Sequence, residues 1–304
     1  MYGLALCLPR VGQPQKLPVP HKILKTLIFL EILALTHSLT ENSMPYETIL
    51  YTVQDGIATI ALNRTDKLNA FNDQMITETK KALKDSGRDD AVRCIILTGS
   101  GRAFSAGQDL ADVQGRGEAF SIGEHLRHGY NELIMQMVNL EKPIIGAING
   151  VAAGAGCSVA LATDIRIASD KASFMQAFSR VGLIPDSGAN WVLPRLVGYN
   201  RAYQMAITAE KVTAEKALDW GLVNMVVPHD QLAETVQAWA LKLAAGPTRA
   251  FGLTKRAMRQ SENMSLAETL AYESYLQEAA GRTEDNKEGV MAFLEKREPQ
   301  FKGK

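Results

Sequence analysis

The sequence predicts an α/β protein whose sheets stack in layers and whose C-terminus carries a helical appendage. A pattern of two strands followed by a helix recurs between residues 46 and 168, and the pattern from Ser187 onward is mostly helical. Such units bury their apolar faces by stacking sheet on sheet or helix on sheet. With 304 residues, 46% apolar and 22% charged, the chain is long enough for one main domain.

The first repeat begins with a β-hairpin. Residues 46–54 and 57–62 are β-rich runs on either side of Asp55 and Gly56, and an Asp-Gly pair in this setting is a strong hairpin signal. Asn72, a favoured N-cap residue, then precedes an amphipathic helical pattern that continues to about residue 86. The later patterns follow in chain order: strand 93–98, glycine-bearing loop 99–109, helix 122–140, strand 144–149, turn at Gly150, helix from about Gly154, and strands 165–168 and 223–227.

The chain divides into three parts. Residues 1–43 contain four prolines and an apolar stretch interrupted by Glu31, which is too short and too charged to span a bilayer. Because Met44 opens the globular pattern at once, we expect 1–43 to be a disordered extension or the product of a start codon placed too far upstream. A true N-terminal arm is the alternative. We expect 44–240 to form the α/β core and 241–304 a helical C-terminal region.

Charge and cysteine content limit the partners. The formal net charge is zero and the pI about 7.0, so no global basic field recruits nucleic acid or an anionic membrane. An anionic ligand must therefore be held locally. Three cysteines at unrelated spacings fit a reducing compartment, and we expect a cytoplasmic protein.

Two loops carry small residues where a strand gives way to a helix, at 103–110 and 149–156. Small side chains let a ligand approach the backbone, and amides at a helix N-terminus favour an anion or a developing oxyanion. Two such amides together can form an oxyanion hole. For either loop alone, tight packing of small residues is the simpler explanation.

The sequence lacks the motifs of several other kinds of functional site. Neither loop matches G-x-G-x-x-G or the P-loop, which argues against dinucleotide binding and nucleotide hydrolysis. Cys157 lies in a small-residue helix with no histidine near it in sequence, so we expect a packing role. His125 and His128 stand close to one helical turn apart, but no carboxylate or cysteine pattern supports a metal site. A solvated helix face or a pocket rim is the expected setting of both histidines.

Several short motifs occur in a consistent order from Met44 to the end of the chain: Leu62-Asn63-Arg64, Leu68-Asn69-Ala70, the run 105–110, Lys142-Pro143, the run 149–156, and the runs 214–221 and 288–297. In these motifs the chain resembles the crotonase superfamily of enoyl-CoA hydratases and isomerases. The resemblance implies repeated ββα units in stacked sheets and trimers often paired into hexamers, with residues 241–304 as the oligomerisation region. It also implies an acyl-CoA substrate, with no separate cofactor and no metal.

The resemblance further implies the ligand contacts. Two backbone N–H groups hold the thioester carbonyl in this family, and they fall on Gln108 and Ala155. The implied coenzyme A contacts are Lys67, Leu68, Ser105, Ala106 and Lys296. For the two lysines, solvated surface charge is an equally good explanation.

The residues at three positions separate the possible reactions. Hydratases that this chain resembles use two glutamates, whose positions here are Ser158 and Phe178, so ordinary hydration is not expected. The remaining candidate acid in this region is Asp186. It follows a proline and precedes Ser-Gly, which is also a common arrangement for a turn or an N-cap. Certain isomerases of the family have their single catalytic acid at this position.

The surroundings of Asp186 narrow the resemblance. The runs 175–179, 182–188 and 191–195 are similar to the isomerases of aerobic phenylacetate degradation. That similarity implies conversion of a ring epoxide to an oxepin thioester, or a shift of a 3-enoyl double bond into conjugation. An enoyl-CoA hydratase and a non-catalytic binding protein of crotonase fold are the alternatives.

Overall fold

The computed structural model describes residues 46–115 and 120–304. The predicted extension 1–43 lies outside the described residues. The strands are β1 Ile49–Gln54, β2 Ile57–Leu62, β3 Cys94–Gly99, β4 Ala103–Ser105, β5 Ile144–Ile148, β6 Val151–Ala153, β7 Ile165–Ser169, β8 Ser173–Met175, β9 Val212–Thr213 and β10 Met225–Val227.

The α-helices are α1 Asp73–Arg88, α2 Leu110–Gln114, α3 Ile122–His125, α4 Asn131–Asn139, α5 Ala155–Leu161, α6 Ala189–Val197, α7 Tyr199–Thr208, α8 Ala214–Asp219, α9 Leu232–Ala244, α10 Thr248–Ser261, α11 Leu266–Gly281 and α12 Glu284–Glu295. Short 3₁₀ turns cover Thr65–Lys67, Ala177–Val181 and His229–Gln231, and Leu126–Tyr130 is a π-helical segment. None of the helices in the described ranges is long and apolar enough to cross a membrane.

The strands form two sheets. The larger sheet has the order β1-β2-β3-β5-β7-β10, and the smaller has the order β4-β6-β8-β9. From the second repeat onward, the first strand of each repeat joins the larger sheet and the second strand joins the smaller. The predicted α/β fold with stacked sheets and C-terminal helices is therefore confirmed.

The central strands of the larger sheet are buried on both faces. Alternate residues of β2, β3, β5 and β7, such as Ile57, Ile96 and Ile145, pack against the apolar face of α9. The residues between them, such as Ile60 and Leu97, face the main core. A strand buried on both faces reads as a continuous apolar run, and this is why β3 and β5 were readily predicted from the sequence.

Local signals in the first repeat were reliable. Asp55 and Gly56 both have positive φ, 52° and 75°, as the predicted tight hairpin requires. The Asn72 side chain accepts a hydrogen bond from Met75 N over 3.0 Å and caps α1, which ends at Arg88 rather than near residue 86.

Three predictions of local structure were wrong. The loops 99–109 and 149–156 contain strands β4 and β6. The short strands β8 and β9 were not predicted, although the region from Ser187 onward is mostly helical as expected. Strands of two or three residues are too short for a two-residue periodicity to be visible in the sequence. The helix expected at 122–140 is not a continuous α-helix, because its middle is the π segment Leu126–Tyr130.

Candidate active site

The smaller sheet brings the two small-residue loops together. β4 and β6 are parallel neighbours, with Ala103 opposite Val151 and Ser105 opposite Ala152. Because the carboxyl ends of parallel strands meet at one sheet edge, the loop after β4 and the start of α5 after β6 emerge side by side. β8 is the next parallel strand, so the chain leading to Asp186 emerges at the same edge.

Gly107 is where the two loops touch. A Cβ atom placed on this glycine would lie 2.8 Å from Ala153 O and 3.4 Å from Ala155 N, which shows how closely the two backbones approach. Gly107 also has a φ of +100°, a conformation that other residues rarely adopt. Glycine is therefore required here for both space and backbone conformation.

The peptide unit between Gly107 and Gln108 has a fixed direction. Phe71 N donates to Gly107 O over 2.7 Å, and Asp109 N donates to Phe71 O over 2.8 Å. In a trans peptide the C=O and N–H groups point in opposite directions. The Gln108 N–H therefore points away from Phe71.

The second amide belongs to Ala155, the first residue of α5. Amide groups in the first turn of a helix have no intrahelical acceptor and carry partial positive charge. The preceding Gly154 has φ 50° and ψ −127°, which only glycine adopts readily, and its N–H donates to Met175 O over 2.9 Å. This turn directs the start of α5 toward the edge where Gly107 lies.

Asp186 lies in the loop between the Ala177–Val181 turn and α6. Its Oδ1 accepts a hydrogen bond from Ser187 Oγ over 2.8 Å. Burial raises the pKa of this carboxyl above its usual range, and the Ser187 hydroxyl opposes part of the rise. The N-cap of α6 is Gly188, without a side-chain cap, so the capping explanation for Asp186 is wrong.

Two nearby acids differ from Asp186. Asp109 forms an ion pair with Arg64 over 2.9 Å. Burial acts against its ionisation, but the Arg64 contact and the backbone N–H groups of Ala111 and Asp112 together lower the pKa of Asp109. The Asp73 side chain is 59% exposed. Of these three carboxyl groups, Asp186 combines burial with a raised pKa, which suits a group that accepts and returns a proton.

The proposed coenzyme A residues fall into two groups. Ala106 N donates to Leu68 O over 2.9 Å, and Lys67 is exposed beside Leu68. Ser105 is fully buried and donates through Oγ to Asn69 O over 2.7 Å, so its side chain shapes the loop from within. Lys296 is exposed at the end of α12, and no hydrogen bond or ion pair within the described chain joins it to the other four.

The cysteines of the described region carry no obvious chemistry. Burial raises the pKa values of Cys94 and Cys157 to about 12, so both remain thiols at neutral pH. Within the described ranges no group of three or more His, Cys, Asp or Glu residues is placed to hold a metal ion.

Tyr130 and His125 were not identified as site residues from the sequence. Tyr130 Oη donates to Gln108 Oε1 over 2.7 Å, and His125 Nε2 lies 3.3 Å from the same oxygen. The His125 side chain is only 10% exposed, whereas His128 is 74% exposed beside Glu124, on a solvated helix face. A five-residue spacing is not a recognisable pattern in an α-helix, so the sequence carried no signal for this pair.

The fold and this site define an acyl-thioester enzyme family. Residues 52–304 match the family model described as enoyl-CoA hydratase/isomerase. The chain therefore belongs to the enoyl-CoA hydratase/isomerase family, and the resemblance drawn from its motifs is confirmed.

Individual relatives carry both isomerase and hydratase names. The chain is 46% identical over 260 residues to the 1,2-epoxyphenylacetyl-CoA isomerase of Escherichia coli K12, covering 85% of this chain and 99% of the relative. It is 45% identical over 261 residues to a protein of Rhodobacter capsulatus named "probable enoyl-CoA hydratase", covering 86% and 100%. A crystal structure of an enoyl-CoA hydratase from Bacillus anthracis superposes with a TM-score of 0.79 at 33% identity, covering 85% and 100%.

Proposed function

We propose that this chain is an acyl-CoA isomerase in which Asp186 moves one proton while the amides of Gln108 and Ala155 hold the thioester oxygen. The environment of Asp186 carries the proposal. It is a half-buried carboxyl with a raised pKa, in the loop that follows β8. The two positions at which the resembling hydratases have glutamates are Ser158 and Phe178, neither of which can transfer a proton to or from water.

The proposed reaction needs only these groups. The Asp186 carboxylate takes a proton from the carbon beside the thioester carbonyl, and the electron pair of that C–H bond forms an enolate. The two N–H donors stabilise the negative oxygen. For a 3-enoyl-CoA, Asp186 returns the proton to the fourth carbon, which leaves a conjugated 2-enoyl-CoA and restores the carboxylate.

We propose 2-(1,2-epoxy-1,2-dihydrophenyl)acetyl-CoA as the natural substrate class, with 3-enoyl-CoA isomerisation as a related activity. The 46% identity to a 1,2-epoxyphenylacetyl-CoA isomerase supports this choice. The adenosine phosphates of the thioester would lie near Lys67, Leu68 and Ala106.

We propose that the C-terminal helices form the contacts between subunits. Phe293 and Leu294 of α12 are 83% and 70% exposed, which supports the use of the C-terminal helices between subunits of a trimer or hexamer. We propose a cytoplasmic enzyme of phenylacetate or fatty acid breakdown that needs no cofactor beyond the coenzyme A of its substrate.

Ultraviolet assays of the purified chain test the function. Isomerisation of a 3-enoyl-CoA creates a conjugated thioester that absorbs, and rearrangement of the ring epoxide can be followed beside it. We expect turnover of at least one of these substrates and its loss in Asp186→Asn. Efficient hydration of crotonyl-CoA without isomerisation would indicate a hydratase, and thioester binding without turnover a non-catalytic protein.

A further inference from the structure

The Gln108 side chain is held by two residues of one helical region. Its Oε1 atom lies 2.7 Å from Tyr130 Oη and 3.3 Å from His125 Nε2. The backbone of the same residue supplies the Gln108 N–H of the proposed oxyanion hole. One residue, Gln108, therefore makes the side-chain contact with Tyr130 and His125 and also supplies a proposed oxyanion-hole donor.

The π segment makes this double contact possible. Positions five residues apart are separated by about 140° around an α-helix of 3.6 residues per turn. In a π-helix the hydrogen bonds join residues five apart, and Asn131 N indeed donates to Leu126 O. This geometry lets His125 and Tyr130 approach one oxygen from the same side of the helix.

Tyr130 is suited to be a fixed donor. It is 2% exposed, and its ring packs edge to face on Phe71 and on His125, with centroid distances of 5.8 and 5.7 Å. Burial, and after it the negative charges of Asp186 and Asp73, raise the pKa of Tyr130 well above its usual range. The hydroxyl therefore keeps its proton near the reacting centre.

The Gln108 peptide unit benefits from such a support. It follows Gly107, whose backbone has unusual freedom, and its N–H direction rests on two backbone hydrogen bonds with Phe71, one on each side of Gln108. Rotation of this peptide would remove one donor from the oxyanion hole. Fixing the Gln108 side chain limits the rotation that the glycine permits.

We propose that Tyr130, presented by the π segment, is a positioning residue for the isomerisation: its hydroxyl holds the Gln108 side chain and so keeps the Gln108 N–H directed at the thioester oxygen. This inference rests on the proposed function. It assigns the π segment a role in transition-state stabilisation, although no atom of that segment contacts the thioester oxygen in the proposed reaction.

Tyr130→Phe removes the hydroxyl and keeps the ring. We expect kcat for 3-enoyl-CoA isomerisation to fall on the order of tenfold, the usual effect of one lost hydrogen bond, with little change in KM. Gln108→Met keeps the backbone amide and should cause a similar loss. The double variant should be no slower than the slower single variant, because both substitutions remove the same contact.

A spectroscopic measurement reports the oxyanion hole directly. The absorption band of a bound 3-aryl-2-enoyl-CoA moves to longer wavelength as its carbonyl is polarised by hydrogen bonds. We expect a smaller red shift in Tyr130→Phe and Gln108→Met than in the parent. Tyr51→Phe is the matched control, since it loses a hydroxyl contact of 3.2 Å to Ser86 away from the site and should keep the parental kcat and red shift.

The outcomes separate the two proposals. Parental kcat and red shift in Tyr130→Phe, or losses that add in the double variant, would overturn the positioning role. If Tyr130→Phe does not fold, Gln108→Met, which alters a half-buried side chain, decides alone by the same two readouts. If the parent bound the thioester with a red shift but had no isomerase activity, the proposed function would fail while the red-shift comparison still tested Tyr130.

Discussion

Ser187 donates a hydrogen bond through Oγ to Oδ1 of Asp186 over 2.8 Å, in a loop that ends at Gly188, the N-cap of α6, where no side chain caps the helix. The Asp186 carboxylate therefore does not cap α6, although its sequence context suggests that role. We expect Asp186→Asn to reduce isomerisation by about 10²- to 10⁴-fold, the usual contribution of a positioned proton-transfer group. Isomerisation rate, thioester affinity and thermal unfolding should be measured on one preparation.

Thioester affinity should change little in Asp186→Asn, because the carbonyl and the phosphates are held elsewhere. Ser187→Ala is the matched comparison: it removes the hydrogen bond and leaves the carboxylate, so we expect a much smaller loss of rate. Near-parental turnover by Asp186→Asn would end the one-acid mechanism.

The rate should depend on pH through Asp186. A general base acts in its ionised form, and burial raises its pKa above the usual 3.8. We expect the acid limb of kcat/KM to have an apparent pKa above 3.8, with activity lost as pH falls through it. In Ser187→Ala the limb should move to higher pH, because the hydroxyl that favours the carboxylate is gone. An unchanged limb in that variant would assign it to another group.

The stability of the fold should depend on pH in the opposite sense. A carboxyl with a raised pKa in the folded state favours its protonated form, so its contribution to stability is complete below 3.8 and is lost as pH rises through the folded pKa. The Asp186→Asn variant has no carboxyl group at this position and so does not lose this stability as pH rises. We therefore expect the variant to gain unfolding free energy relative to the parent between low and neutral pH, as measured by urea titration at several pH values. A constant difference would show that the carboxyl is not destabilised by burial.

Gly107→Ala should damage both stability and catalysis. Its new Cβ would lie 2.8 Å from Ala153 O on a backbone with φ +100°, so the two amide loops must separate. We expect about 1–3 kcal/mol less stability from strain and poor packing, together with a large fall in kcat. Gly182→Ala is the control, since its φ is +72° but the added Cβ meets nothing within 4 Å. Equal loss of kcat in both variants would show that loop approach is unimportant.

Crotonyl-CoA should bind and not be hydrated. The two backbone N–H groups would donate to its carbonyl oxygen, but Ser158 is fully buried in α5 with its hydroxyl 3.3 Å from Gly154 O, and Phe178 is an apolar core residue. Neither can activate or protonate water. The measurement is the loss of enoyl absorbance at high enzyme concentration, with a 3-enoyl-CoA as the positive control. Hydration as fast as isomerisation would contradict the proposed division of reactions.

Much of the fold was predictable because its signals are local. The Asp55-Gly56 turn, the Asn72 cap and the apolar runs of β3 and β5 depend on backbone preference and burial within a few residues. The short strands β4, β6, β8 and β9 were missed for the converse reason. Two or three residues carry no periodicity, and only pairing with distant neighbours makes them strands.

The sequence by itself determined the α/β class, the enoyl-CoA hydratase/isomerase family and the identity of Gln108, Ala155 and Asp186 as candidates, since motif order and residue type can be read along the chain. Only the tertiary structure decided that Gly107 meets Ala153 and Ala155, that Asp186 is half-buried without capping α6, and that Tyr130 reaches Gln108. The physical reason is that burial, peptide direction and the π segment arise from contacts between residues far apart in sequence. Those contacts fix pKa values and hydrogen-bond geometry, which residue type alone leaves open.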